Sequence, residues 1–292
     1  MTFSHSKYFL TIVSSLSIFF SFLSFGVSAQ ILPETTPPKS YLEVEDKNKD
    51  QWSFQIQPYG TLPITTYGNV IIGGRTVEYQ QSLGDLLQVL RMVVSGRIEA
   101  WYNNFGFITD DYYVSLQGSG IKNTGPILDT SFQSVLTFDQ GIYDFALSYH
   151  IGPKQDLTSQ NFPLLSFEPI VGVRLNSLSS TINSTLNVGI VNTSFQKSVS
   201  IGRTWFEPML GGKLALQISK PIILWARGDV SGFGLAGQDD LSWNTLAGVD
   251  WWVNQNTFLT LGYHFYQISY TNNNMTFNES LNGLYIAATF KF

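Results

Sequence analysis

Between Trp52 and Phe292, apolar and polar residues alternate one by one over runs of about ten to fifteen residues, each broken by Gly, Asn, Pro or Asp. A period of two sends successive side chains to opposite faces of a strand. No stretch between Trp52 and Phe292 holds the ~20 uninterrupted apolar residues that a helical span needs. The last run is the clearest. Leu284, Ile286, Ala288, Phe290 and Phe292 fall on one face, and Tyr285, Ala287, Thr289 and Lys291 on the other.

Earlier runs repeat the scheme with charges on the second face. Ile222, Leu224, Ala226 and Val230 oppose Arg227 and Asp229, while Phe206, Leu210, Leu214 and Leu216 oppose Glu207 and Lys213. Phe167, Val171, Val173 and Leu175 oppose Glu168 and Arg174, and Val94, Ile98 and Ala100 oppose Arg97 and Glu99. Asp250 stands against Ala247, Val249 and Trp251, and His264 against Leu261, Tyr263 and Phe265.

A soluble β-sandwich also alternates, but with short strands and a wetted face rich in Lys and Glu. Here the runs are long and only 13% of residues are charged, with 15% aromatic. Several aromatics stand near strand ends: Trp52, Trp101, Tyr102, Trp205, Trp243, Trp251, Trp252 and Tyr270. There they are expected to form interfacial girdles. In lipid a sheet has to close on itself to satisfy its backbone. The expectation is an all-β, closed antiparallel transmembrane barrel.

Connections set the strand count. Short turns at Asn103-Asn104, Lys220-Pro221 and Gln255-Asn256 alternate with longer polar loops near 119–128, 183–199, 236–240 and 271–280. Short periplasmic turns and long outer loops are the outer-membrane pattern. Threading gives strands near 52–62, 92–103, 105–118, 130–151, 164–182, 199–219, 222–235, 241–254, 257–271 and 281–292. That is ten, within a range of eight to twelve, since Asn69 to Gln80 offers one more hairpin. Ser82 to Arg91 breaks the period. Leu83, Leu86, Leu87 and Leu90 fall at i, i+3, i+4 and i+7, with Ser82 as cap, Asp85 in the first turn and Arg91 in the last. This predicts a short amphipathic helix near 82–91, in the barrel mouth or across its rim.

Residues 1–29 read as a cleaved export signal. Lys7 precedes an apolar run, and Val27-Ser28-Ala29 places small residues at −3 and −1 of a cut before Gln30. Residues 30–50, with Pro33, Pro37, Pro38 and a cluster of charges, read as a disordered periplasmic linker ahead of a barrel over 51–292.

The C-terminal half resembles a broad family of uncharacterised bacterial outer-membrane β-barrel proteins, porin-like small barrels. The residues that carry the resemblance are Trp205-Phe206-Glu207-Pro208, Arg227 to Gly234, Trp243 to Val249, Leu261 to Phe265 and the closing Phe290-Lys291-Phe292. Ser82 to Leu90 followed by Gly96 to Ala100 also fits, so most of the mature chain is covered. The resemblance implies an outer-membrane location, with lipid and the insertion machinery as partners, the latter reading Phe290 and Phe292 as an assembly signal. It implies no activity and supplies no catalytic residue.

The chain holds no cysteine, which excludes thiol nucleophiles, cysteine-bound zinc and a lipoprotein anchor. A net charge of −5 argues against nucleic acid. No phosphate loop or metal-ligand cluster is present, so no cofactor is expected; Asp110-Asp111 and Asp239-Asp240 read as loop or strand-end acids. A lipid hydrolase needs a serine beside a histidine. Once His5 leaves with the signal, His150 and His264 remain. Ser148 lies about 7 Å from His150 along one strand, and Ser269 is on the face opposite His264.

Three readings follow. A narrow-pore or surface-interaction barrel with a charged, largely filled lumen ranks first, a porin-like channel for small solutes second, and a lipid hydrolase last. The expected lumen network is Arg97, Glu99, Glu168, Arg174, Glu207, Lys213, Arg227, Asp229, Asp250 and His264, with acids and bases interleaved. The near-repeats Phe167 to Leu175 and Phe206 to Leu214 each carry an acid and, six residues on, a base. They read as one strand template used twice, its charges paired with neighbours. A two-residue turn at Lys220-Pro221 sets Lys213 opposite Gly228 and predicts an Asp229–Lys213 bridge.

Overall fold

The computed structural model describes residues 52–72, 75–124, 130–155, 157, 159–188, 193–237, 239–272 and 275–292. The proposed signal and linker lie outside them. The elements are β1 (Trp52–Ile72), β2 (Arg75–Ser82), α1 (Leu83–Val89), β3 (Leu90–Tyr102), β4 (Phe105–Thr124), β5 (Thr130–Tyr149) and β6 (Leu164–Val188). They continue with β7 (Thr193–Gln217), β8 (Ile222–Ser231), β9 (Asp239–Asp240), β10 (Ser242–Asn254), β11 (Thr257–Asn272) and β12 (Met275–Lys291).

Ten of these strands close a ring in the order β1-β3-β4-β5-β6-β7-β8-β10-β11-β12, and β12 returns to β1. Every neighbour is antiparallel. Closure leaves no edge within the ring, which is what lipid requires. Each strand shows an apolar side chain outward: Phe54, Ile98, Phe107, Leu147, Val171, Leu210, Leu224, Trp251, Leu261 and Ile286 are all exposed, as a lipid-facing band is. Phe290 and Phe292 are on this face as well.

Several expectations are corrected. Asn69 to Gln80 does form a hairpin, but β2 pairs with the upper half of β1 alone, from Thr65↔Ser82 to Ile72↔Arg75, so the barrel stays at ten. Of the expected girdle, Trp101, Trp205, Trp252 and Tyr270 are buried inside, because they share strand parity with the lumen charges. The turn between β7 and β8 is longer than Lys220-Pro221: Ile218 N donates to Ile222 O, and the ladder ends at Gln217↔Ile223. The connection after β5 runs to Leu164, so the turns at this end are not all short. The one after β3 is, with Asn103 at a positive φ of 54° that asparagine tolerates.

Ser82 caps α1 through a capping box with Asp85, as the spacing predicts. Arg91, expected in its last turn, lies instead in β3, which begins at Leu90. Nor does the helix cross the mouth. Its neighbours are β1, β2 and β4, so it stands in the wall, where Leu83, Leu86 and Leu87 are half-buried.

Above the lipid band the wall divides. On one side β1, β2, β12, β11 and β9 continue together, and on the other β4, β5, β6 and β7. β3 pairs with β1 only up to Gly96↔Pro58, and β8 reaches β7 only up to Ser231↔Met209. β6 and β7 are the tallest strands, at 25 residues each.

Candidate functional site: the charged lumen

The inward side chains of β3 to β8 bring seven charged groups into one chain of contacts. Arg97 Nε donates to Glu99 Oε1 at 2.5 Å, and Arg97 Nη1 to Asp110 Oδ2 at 3.2 Å. Arg227 Nη1, on β8, donates to the same Asp110 oxygen at 2.7 Å. Arg227 Nη2 is 3.5 Å from Asp229 Oδ2. Arg174 then ties Asp229 to Asp144, with Nη2 at 2.8 Å from Asp229 Oδ1 and Nε at 2.7 Å from Asp144 Oδ1. β4 and β8 are separated by three strands in the ring. The Asp110–Arg227 contact therefore crosses the lumen.

The remaining expected charges take other partners. Glu207 accepts from Trp205 Nε1 at 2.7 Å and from the hydroxyls of Ser231 and Ser242 at 2.6 and 3.2 Å. Glu168 Oε1 lies 2.9 Å from His150 Nδ1. Asp250 Oδ1 accepts from Trp225 Nε1 and Thr260 Oγ1 at 2.8 and 2.6 Å. His264 stands between Thr61 Oγ1, 3.1 Å from Nδ1, and Asn244 Oδ1, 2.7 Å from Nε2. Lys213 lines the cavity at the centre of the lumen together with Glu99 and Asp250, and faces Glu168 across the β6–β7 pair.

The Asp229–Lys213 bridge does not form. In the observed register Lys213 faces Arg227 and Asp229 faces Gly211. The longer turn shifts the pairing by one residue, and Arg174 from β6 takes Asp229 instead. The two near-repeats do lie side by side. Glu168 of one faces Lys213 of the other, and Arg174 faces Glu207.

Two members of the network were not expected from the sequence. Asp110 and Asp111 lie within β4, not in a loop: Asp110 faces inward, where Tyr59 Oη also donates to it at 2.8 Å. Asp144 is the second, and the alternation of Asp144, Ala146 and Ser148 against Phe145, Leu147 and Tyr149 carries the signal for it. Among the histidine neighbours, Ser148 Oγ donates to the Pro169 carbonyl at 2.9 Å, while His150 Nδ1 meets Glu168, so the two are not joined as nucleophile and base.

The lumen is occupied above and below this layer. Above it Leu178, Trp205, Tyr266, Ile268, Tyr270 and Phe277 form one buried cluster, with Trp205 and Tyr270 stacked at 4.2 Å. Below it Leu157, from the connection between β5 and β6, packs against a cluster of Ala215, Ile223, Trp252 and Phe258 from β7, β8, β10 and β11. The cavity left between them offers about 100 Å³ to the centres of water molecules.

No protein-family model and no curated protein matches the chain. Solved structures do resemble it. The outer membrane protease OmpT from Escherichia coli aligns over 84% of this chain and 98% of its own, at 12% identity and a TM-score of 0.48. Neisserial surface protein A aligns over 82% and 97%, at 16% identity and a TM-score of 0.25. The toluene transporter TodX of P. putida aligns over 83% and 90%, at 9% identity and a TM-score of 0.27. The likeness is one of fold. The chain is a closed, ten-stranded antiparallel β-barrel.

Proposed function

We propose that this barrel is a closed outer-membrane protein whose work is done at its outer surface, with lipid and the insertion machinery as its partners in the membrane. The observation that carries this reading is the Asp110–Arg227 contact across the lumen, between an aromatic cluster above and Leu157 below. Buried ion pairs with several hydrogen bonds each are costly to part, because either half alone is an uncompensated charge. Ten strands are also close to the width at which side chains fill a barrel, far from the sixteen to eighteen of open porins. A protein that spends its lumen on internal contacts presents its outer strands and loops to partners.

One observation favours a second reading, a narrow channel for small solutes. The lower seal comes from a connection and not from a strand, so withdrawal of Leu157 opens that end. Planar-bilayer recording separates the two. The closed reading expects no unitary conductance from the purified protein, and none when Leu157 is changed to Gly, because the ion network still crosses the lumen. Stable current steps from the unaltered protein overturn it.

A further inference from the structure

We propose that the upper part of β7 is a docking edge for an extended segment of a partner polypeptide, which adds to the β4–β7 sheet as a further strand. The proposal rests on the reading that the outer surface carries the function, and names the place. Pro208 O accepts from Gly232 N at 3.0 Å, so at residue 208 the β7 backbone points toward β8. With a period of two, Phe206, Thr204, Gly202, Ser200, Ser198 and Gln196 point their amides and carbonyls the same way. β8 pairs with β7 from Met209 to Gln217, and Pro208 has no amide hydrogen with which to extend that ladder. Among the described residues no strand lies alongside this edge. The odd-numbered residues of the same stretch pair with β6, as in Val199↔Ile182 and Ile201↔Ser180.

Natural proteins blunt such edges with charges, prolines or bulges. Here the even positions from 198 to 204 carry small polar side chains and a glycine. The inner face beside the edge is largely apolar and exposed, with Lys197 and Arg203 as its charges. Phe195 is 60% exposed, Val199 45% and Ile201 41%, and on the adjoining strands Ile182, Leu136 and Phe132 are 43%, 44% and 43% exposed. This patch stands above the buried cluster that seals the lumen, outside the lipid band, where exposed apolar surface of this extent marks a binding site.

The edge decides the occupant. Unpaired amides and carbonyls at every second residue match an extended peptide backbone and neither a helix nor an acyl chain. The apolar face requires the peptide to carry apolar side chains at alternate positions. Lys197, on that face between Phe195 and Val199, selects an acid among them.

The test uses the full chain in detergent micelles. Hydrogen exchange of the free protein should show Ser198, Ser200 and Gly202 amides exchanging freely, with Val199 and Ile201 protected. A fluorescent synthetic peptide alternating Val with Ser, with one Asp among the valines, should bind saturably and slow exchange at the free positions. The same peptide N-methylated on its edge-facing residues should bind at least about tenfold more weakly. Ser198→Pro removes one edge-facing amide hydrogen without touching the β6 ladder, and should weaken binding about tenfold as well, whereas Ser198→Ala should not. The proposal is overturned by protection of the even-numbered amides in the free protein, by the absence of saturable binding, or by binding indifferent to N-methylation and to Ser198→Pro. Bilayer conductance of the same preparation keeps the two ideas apart. A conducting protein that still binds the peptide overturns the closed-lumen reading and leaves the edge standing, and a silent protein that ignores the peptide does the reverse.

Discussion

Arg174 grips Asp144 with two hydrogen bonds, from Nε to Oδ1 and from Nη2 to Oδ2, both at 2.7 Å, and both residues are buried. A two-pronged guanidinium–carboxylate contact fixes orientation as well as distance. Nη2 also reaches Asp229 and Nη1 reaches Ser231 Oγ at 3.3 Å, so one side chain joins β5, β6 and β8.

Arg174→Ala should therefore strip Asp144 of its two-pronged partner, leave Arg227 as the base beside both buried acids, and destabilise the barrel by about 3–5 kcal/mol. Urea unfolding in lipid vesicles measures this. A double-mutant cycle of Arg174→Ala with Asp229→Ala should show clear coupling, on the order of 1 kcal/mol or more. The cycle of Lys213→Ala with Asp229→Ala should show much less, and the reverse ranking would contradict the observed β7–β8 register.

The terminal strand makes a second prediction. Phe292 faces lipid, 72% exposed, while Lys291 turns inward with Nζ 4.4 Å from the Trp252 ring centre. Replacing Phe292 with Asp should cut the yield of assembled, heat-modifiable barrel severely. Lys291→Ala should assemble and lose only a cation–π contact of about 1 kcal/mol. Equal yields from the two variants count against the assigned parity.

Gly68 makes a third. Tyr79 lies across it to reach Glu279, with Tyr79 Oη donating to Glu279 Oε2 at 2.8 Å, and Gln140 Nε2 donates to the other oxygen at 3.1 Å. A Cβ at Gly68 would stand 2.4 Å from the Asn278 carbonyl oxygen and 2.6 Å from Tyr79 Oη. Gly68→Ala should expel Tyr79 and loosen the β1–β2 hairpin, which limited chymotrypsin digestion reads as earlier cleavage there. Tyr79→Phe removes the hydrogen bond alone and should have the smaller effect.

α1 offers a pH dependence outside the spanning strands. The Ser82 amide and hydroxyl both donate to Asp85 Oδ2, at 3.0 and 2.7 Å, and hold its carboxyl below the usual carboxylate range. A lowered value in the folded state means that the cap is fully formed at neutral pH and is lost only as pH falls through that lowered value. A carboxyl-carbon NMR titration should place Asp85 below the ~3.9 of a free aspartate. Ser82→Ala should move it back up.

Architecture was legible because lipid enforces it. Each barrel strand needs an apolar outer face, so alternation shows on every one. What the sequence concealed is what alternation does not encode. Asp110 and Asp111 read as loop or strand-end acids, yet neighbours in a strand point opposite ways, and Asp110 alone turns into the network. Trp101 and Trp205 look like girdle residues until their parity with Glu99 and Glu207 is counted, and each in fact donates its indole N–H to that glutamate, at 2.7 Å in both cases. The Asp229–Lys213 bridge failed on a single residue of turn length. Ion-pair partners inside a barrel depend on register and on reach across the lumen, and neither is local.

The seam between β1 and β12 sets a condition on how the molecule forms. Gln57 Nε2 donates to Thr289 Oγ1 at 2.7 Å across 232 residues of chain, and Gln55 faces Lys291. The loop-closure entropy of that contact is among the largest this barrel imposes, and it is recovered only when the two strands meet. Until then β1 and β12 are both open edges, so the half-made sheet is the species most exposed to pairing with the wrong neighbour. Folding is thus committed late and all at once, with the first strand waiting for the last.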